Sequence, residues 1–330
     1  MSAKLKNSVA RLARKTVLVL GDVILDEYIT GRATRMSREA PVPVLELEST
    51  RFIAGGAANP AVNIVALGSR AIQAGAIGAD ENGAQLLSVL NDQGIDCAGM
   101  FTCADRPTTV KTRVMAQMGL RFPQQVTRID TISHDPIDEG TEAKIVEFVS
   151  DRIGSLDAVL LSQYHGGLLT PTLLKRIRDL CRQHSILLTA DVQGKFARFA
   201  GVDVVKCNAA DAERHLNREL ETDDDFRTAA ACLHGEFSVK RATIVTMGNR
   251  GAALATDAGT TICPSPQVSD VFDTVGAGDT AIAVITLSLA AGLAAEDAVL
   301  LANYASGIVV RHLGNYAPSP DELSGSIDGD

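Results

Sequence analysis

The chain has 330 residues, 46% of them hydrophobic, with 31 basic and 40 acidic side chains and a net charge of −9 at pH 7. That length fits one large domain or two of moderate size, with enough apolar surface to build a core without disulfides. The acidic balance argues against a nucleic-acid groove or an anionic membrane as partner, and no run reaches the roughly 18–20 unbroken apolar residues of a membrane span. Cys97, Cys103, Cys181, Cys207, Cys232 and Cys263 form no Cys-x-x-Cys pair and no metal-like spacing with histidine, so reduced, mostly buried thiols are expected. The N-terminus carries basic residues but no signal-like apolar run, which makes a soluble cytoplasmic protein the expectation.

In chain order, Thr16-Val-Leu-Val-Leu20 is a short apolar run closed by Gly21-Asp22 and reads as a buried strand. Asp22 and Asp26 then fall at or just beyond a strand's carboxyl end, the edge where open α/β sheets hold their ligands; turn chemistry is the alternative for Asp22. Pro41-Val-Pro-Val-Leu-Glu-Leu-Glu48 alternates at its end, giving a strand with one wet face. A second strand-like cluster runs over residues 108–115 and returns over 125–130. Together, segments at about 40–52 and 107–130 suggest a small sheet that forms a lid on one domain spanning 1–330. Its exposed face is suited to pairing with a second copy of the chain, so a homodimer is expected.

Between these pieces, Ala54-Gly55-Gly56-Ala57-Ala58-Asn59 leads into a helical stretch that ends at Gly68. Paired glycines permit a ligand to approach closely, and Asn59 offers both a donor and an acceptor. From about residue 140 the rhythm becomes regular. Helices at 141–153 and 171–184 alternate with strands at 158–162, 186–191, 202–208 and 242–248. A doubly wound, mainly parallel α/β sheet with helices on both faces follows from that alternation. Asp191 and Asn208 close two of the strands, and Thr246-Met-Gly248-Asn-Arg-Gly251 is a glycine-containing turn on the same edge. The polar tail after about Pro318 reads as frayed.

Asp270-Val-Phe-Asp273-Thr-Val-Gly276-Ala-Gly278-Asp279-Thr280 runs straight into an apolar helix. Amides at a helix start lack intrahelical partners and carry the positive end of the dipole, so they attract anions. Gly276 and Gly278 leave the main chain open to a phosphate. Asp279 is out of place beside an anion unless it takes a proton from a group attacking that phosphate. An ordinary helix start with aspartate in its first turn is the alternative, and the collection of polar residues on one sheet edge favours the chemical role.

Asp273-Thr-Val-Gly-Ala-Gly-Asp279 resembles the C-terminal signature of the ribokinase-like (PfkB) sugar kinases, and Gly55-Gly56-Ala-Ala-Asn59 resembles their N-terminal one. Within that family, Gly21-Asp22-Val-Ile-Leu-Asp26, Glu39-Ala-Pro-Val-Pro-Val44 and Leu313-Gly314 look like the D-glycero-β-D-manno-heptose-7-phosphate kinases of lipopolysaccharide core synthesis. Those kinases are often fused to a nucleotidyltransferase, and the chain looks like a stand-alone form. The resemblance implies ATP and Mg²⁺, with Asp279 as base and Gly276, Ala277 and Gly278 as the anion hole. It implies that Asp22, Gly55, Gly56 and Asn59 hold sugar hydroxyls. Asn208 would begin an Asn-x-x-Glu motif for Mg²⁺ and phosphates, while Thr246, Gly248, Gly251 and Asn303 would serve the nucleotide.

Two departures stand out. Asp211 replaces the motif's glutamate, with Glu213 two residues on as a second candidate for Mg²⁺. Val-Gln stands where related kinases often carry Pro-Lys, which brings in Lys195 as a shifted lysine. A substrate that already bears a phosphate needs a cation at the far end of the site, and the candidates are Lys111, Arg113, Arg128, Lys195 and Arg198. Other acceptors (ribose, fructose, a nucleoside) and a non-catalytic sugar- or nucleotide-binding regulator are the alternatives. A dinucleotide-dependent dehydrogenase is disfavoured, because no Gly-x-Gly-x-x-Gly follows the first strand.

Overall fold

The structure, a computed structural model, describes residues 2–117, 123–268 and 270–328. The strands in chain order are β1 (Thr16–Gly21), β2 (Val23–Met36), β3 (Pro43–Gly56), β4 (Arg70–Gly78), β5 (Asp96–Cys103), β6 (Val110–Gln117) and β7 (Gln124–Thr131). They continue as β8 (Ala158–Ser162), β9 (Leu187–Asp191), β10 (Val204–Asn208), β11 (Ala242–Thr246), β12 (Ala252–Thr256) and β13 (Gly259–Cys263). Nine of them form one sheet in the order β13-β12-β11-β10-β9-β8-β1-β4-β5, and β3-β2-β6-β7 form a second. The large sheet is parallel from β11 through β5, with β12 and β13 added antiparallel at one edge.

The continuous apolar run of β1 reflects burial on both faces. Val17 and Val19 join the core on one side of the sheet, Leu18 and Leu20 the core on the other. The first core holds the helix Ala277–Ala290, which is apolar almost all round and is buried along nearly its whole length. The second holds the helix Pro171–His184, whose Thr170 cap accepts from Leu173 N. A βα alternation with helices on both faces is therefore the architecture. Among the described residues no helix is long and apolar enough to cross a membrane.

Three sequence expectations need correction. The small sheet contains the long strand β2, which starts one residue after β1 ends; Gly21-Asp22 reads as a terminator, yet here it separates strands of two different sheets. Asp26 accordingly lies on β2 and not on the rim of the large sheet. The tail is not frayed: Pro320–Asp328 is a helix with Leu323 and Ile327 buried. Ser319 and Glu322 cap it reciprocally, the capping-box pattern that the polar composition obscured.

Candidate active site

The site is built on the carboxyl edge of the large sheet. Gly21, Ser162, Asp191 and Lys206 sit opposite one another across β1, β8, β9 and β10. Direct neighbours in register project to the same face, so Asp191 meets Lys206. Lys206 Nζ donates to both carboxylate oxygens at 2.8 Å, and both side chains are buried. Burial pushes the Asp191 carboxyl upward while the ammonium beside it opposes that shift.

The helix Ala277–Ala290 aims its N-terminus at this row. Gly276, in the left-handed region (φ +82°), turns the chain into the helix; a Cβ there would come within 2.8 Å of Asn59 Nδ2. A Cβ on Gly278 would stand 3.2 Å from Lys206 Nζ, so the ammonium borders the open backbone at the helix start. First-turn amides such as those of Gly278 and Asp279 have no carbonyl four residues back within the helix. Ala277 N–H makes a long turn bond of 3.4 Å to Thr274 O. Backbone donors and one fixed cation thus face the same space, which suits a phosphoryl group in transit.

Asp279 lies in the first turn of that helix and is buried. Its Oδ2 accepts from Asn59 Nδ2 at 3.0 Å and its Oδ1 from the Tyr164 hydroxyl at 2.6 Å. Burial and then the Asp191 charge push its pKa up to about 6, against the two hydrogen bonds and Lys206. The Tyr164 hydroxyl, itself held well above its ordinary pKa by burial and by the Asp279 charge, stays a donor. Asn59 is fixed in turn: Asn63 Nδ2 donates to Asn59 O at 3.0 Å, and Thr280 Oγ1 donates to Asn63 Oδ1 at 2.9 Å. The two glycine motifs, 220 residues apart in sequence, are locked together by these bonds.

Asp22 is buried between β1 and β2, where Oδ2 accepts from Tyr164 N at 2.9 Å and Oδ1 from Leu168 N at 3.1 Å. Gly55 faces Asp26 so closely that a Cβ would stand 2.2 Å from Asp26 Oδ2. Gly56 takes the left-handed region at φ +57° and closes the strand onto the Asp22 backbone, with Ala57 N donating to Asp22 O. Of the basic candidates, Arg113 is committed to Asp26 at 2.5 Å and Arg128 to Asp130 at 2.9 Å. Lys111 projects from β6 between Asp26 and Asp130 in the strand register. Lys195 and Arg198 line a pocket together with Asp22.

The nucleotide and metal candidates divide. Asn208, at the end of β10, and Thr246, at the end of β11, are direct neighbours, and Gly248 follows in a left-handed turn with open space around it. The Asn208 side chain accepts from Asp211 N and so caps the next helix, while buried Asp211 pairs with Arg214 at 2.9 Å. Glu213 turns away and accepts from Leu220 N at 3.0 Å. Residues two apart on a helix do not face each other, so Asp211 and Glu213 are not brought together. Among the described residues no three acids, histidines or cysteines form a metal-type cluster. Gly251 is required by packing, since a Cβ would come within 2.1 Å of Cys263 O, and buried Asn303 donates to Cys263 O and Pro264 O.

Three site residues escape the sequence reading. Lys206 left a signal: a lysine inside an otherwise apolar strand. Tyr164 and Asn315 left none. Asn315 Nδ2 donates to Asp26 Oδ2 at 3.2 Å and Ala54 O at 3.0 Å, tying the C-terminal segment to the lid.

The family description "pfkB family carbohydrate kinase" matches residues 14–322 of the chain. A "Bifunctional protein HldE" of Geobacter metallireducens is 38% identical over 315 residues, which are 94% of this chain and 62% of that protein. The protein of the same name from Helicobacter pylori (strain HPAG1) is 34% identical over 311 residues, 94% of this chain and 66% of that one. The chain thus spans 62–66% of the length of these curated relatives. Among solved structures, phosphofructokinase-2 from Escherichia coli in complex with substrates and products superposes with a TM-score of 0.75 at 21% identity, covering 96% of this chain and 99% of that one. An Arabidopsis thaliana ribokinase complexed with ribose and ATP gives 0.73 at 19% identity, with 96% and 99% coverage. At such identities these structures bear on the fold alone.

Proposed function

Since the chain belongs to the pfkB family of carbohydrate kinases, we propose that it transfers the γ-phosphoryl group of ATP to the anomeric (C1) hydroxyl of D-glycero-D-manno-heptose 7-phosphate. The products are ADP and the heptose 1,7-bisphosphate, a precursor of ADP-heptose for lipopolysaccharide core. The subgroup motifs and the HldE relatives support the acceptor. The observation that carries the chemistry is Asp279, a buried carboxylate with a pKa of about 6, set beside an ammonium and a helix N-terminus.

In this reading the C1 hydroxyl gives its proton to Asp279 as its oxygen bonds to the γ-phosphorus, and the bond from phosphorus to the β–γ bridging oxygen breaks. ADP leaves with that electron pair. A base with a pKa near 6 is ionised at neutral pH, and burial makes it a stronger base than an exposed aspartate. Phosphoryl transfer asks chiefly for positioning and charge neutralisation, which the Gly278 and Asp279 amides and Lys206 supply. Asp22, Gly55, Gly56 and Asn59 line the sugar side; Asn208, Thr246 and Gly248 the nucleotide side.

A Mg²⁺ bound with ATP would need few protein ligands, because phosphates and waters complete its shell, and the single carboxylate of Asp211, in the first turn of the helix that follows β10, would fit that demand. Glu213, turned to Leu220, does not. On its outer surface the lid exposes Leu47, Val126 and Ile129, apolar residues that a second copy would cover in a lid-mediated homodimer. A cytoplasmic location agrees with a substrate pool of ATP and sugar phosphates.

The deciding experiment is ADP release from Mg-ATP with heptose 7-phosphate, ribose, fructose 6-phosphate and adenosine as acceptors. Turnover with the heptose phosphate, lost in Asp279→Asn, is expected. Preference for another acceptor would retire the subgroup assignment and keep the mechanism. Absence of turnover with every acceptor would favour a sugar- or nucleotide-binding regulator.

A further inference from the structure

The pocket beyond Asp22 is built from two tied walls. One wall is the segment from Gln163 to Pro171, the other the segment around His134 and Pro136. Arg106 donates to Gly166 O on the first and to Ser133 O on the second. His134 Nδ1 meets His165 O at 3.0 Å, and Ile137 N donates to Gly167 O at 3.2 Å. The space enclosed is about 170 Å³.

Its floor is a short turn that presents two cations. Phe196–Phe199 is a 3₁₀ turn whose two phenylalanines are buried, and Arg198 N donates to Lys195 O at 3.0 Å. Lys195, the residue that leads into this turn, and Arg198 within it both line the pocket. Lys195 holds a left-handed backbone at φ +52° and His165 another at φ +58°. Neither is glycine, so the surrounding structure holds both positions in place. Among the described residues neither Lys195 nor Arg198 has an ion-pair partner, whereas Arg113 and Arg128 are already neutralised by Asp26 and Asp130.

Spacing relates this pocket to the base. Tyr164 touches Asp22 with its backbone N–H and Asp279 with its hydroxyl. One tyrosine's length therefore separates the base from the mouth of the pocket, comparable with the reach of a sugar from C1 to a remote phosphate. Asp22, with both oxygens engaged by amides, suits a hydroxyl at the mouth; the cations beyond it suit an anion.

Taking the sugar-phosphate kinase reading as its basis, we propose that Lys195 and Arg198 bind the acceptor's remote phosphomonoester in this pocket. The lid arginines take no part in that binding. The test is steady-state kinetics of Lys195→Met, Arg198→Met and the double variant, with Lys111→Met and Lys195→Arg alongside. Each lost charge-assisted bond should raise KM for the sugar phosphate about 10- to 100-fold, with KM for ATP changed less than about twofold. Lys195→Arg should recover most of the affinity. Inorganic phosphate should compete with the sugar phosphate in the wild type and lose that effect in the double variant. Unchanged acceptor KM, or a parallel rise in KM for ATP, overturns the proposal, as does a large rise in acceptor KM for Lys111→Met alone. Both side chains reach solvent, so melting temperatures should stay near wild type. If the wild type prefers an unphosphorylated acceptor, the sugar-phosphate reading fails while the kinase mechanism stands, an outcome separate from every variant result.

Discussion

The Tyr164 hydroxyl donates to Asp279 Oδ1 at 2.6 Å while the Asn59 amide occupies Oδ2 at 3.0 Å. The carboxylate is therefore oriented before any substrate arrives, by one residue from the loop after β8 and one from the glycine-pair motif. Both donors favour the charged form, and burial together with Asp191 favours the neutral one. The balance stands at about 6.

Replacing Tyr164 by phenylalanine removes a donor to the charged form, so the Asp279 pKa should rise. A hydrogen bond to a charged group contributes about 1.5–3 kcal/mol, which corresponds to about one pH unit or somewhat more. Profiles of kcat against pH should show the wild-type activity falling as pH drops through about 6. In Tyr164→Phe that acid limb should move to higher pH by about one unit. An unmoved limb would show that the phenol does not tune the base.

Asp279→Asn should lower turnover about 10²- to 10⁴-fold, the range for a lost general base. The same change should raise thermal stability at pH 7.5. With a folded pKa of about 6 against an ordinary 3.8, the group costs about 3 kcal/mol once ionised. That cost is fully present above the folded value and is relieved as pH falls from about 6 towards 4. Asparagine accepts from Asn59, and the tyrosine hydroxyl can turn to accept from its amide. Melting curves at pH 7.5 and pH 5 should therefore show a stability gain that shrinks at the lower pH.

Lys206→Met leaves Asp191 as an unpaired buried charge and should destabilise the protein by about 3–5 kcal/mol. The double variant Asp191→Asn/Lys206→Met should recover most of that stability in denaturant titrations. Turnover of the double variant should remain about 100-fold or more below wild type, because the ammonium beside Gly278 is gone. Recovery of activity along with stability would reduce the pair to a structural role.

Leu47→Lys combined with Ile129→Lys places charge on the outer face of the lid, where both side chains are more than half exposed. Light scattering should report a dimer for the wild type and a monomer for the double variant. A monomeric wild type at working concentration would remove the homodimer from the proposal.

Much of the architecture was legible in short apolar runs. β1, β8 and β9 are continuous hydrophobic segments ended by glycine, serine or aspartate, and Pro171–His184 begins and ends where its cap and proline place it. β2 was not legible, because Gly21-Asp22 carries the chemistry of a turn and the strand behind it is buried at one end and wet at the other. Asp279 could be singled out because a carboxylate at an anion-attracting helix start demands an explanation. Tyr164 could not be: its place depends on the grip of Asp22 on two amides 142 and 146 residues away. Asp211 and Glu213 looked like a pair only on paper, since a helix turns their side chains to different faces.

Because β1 ends at Gly21 and β2 begins at Val23, a single residue, Asp22, makes one of the joints between the floor of the site and its cover. A swing of the small sheet would turn that backbone, and the same residue's carboxylate accepts from Tyr164 and Leu168 in the loop that carries the phenol beside Asp279. Lid position and the placement of the phenol on Asp279 thus share one residue, Asp22.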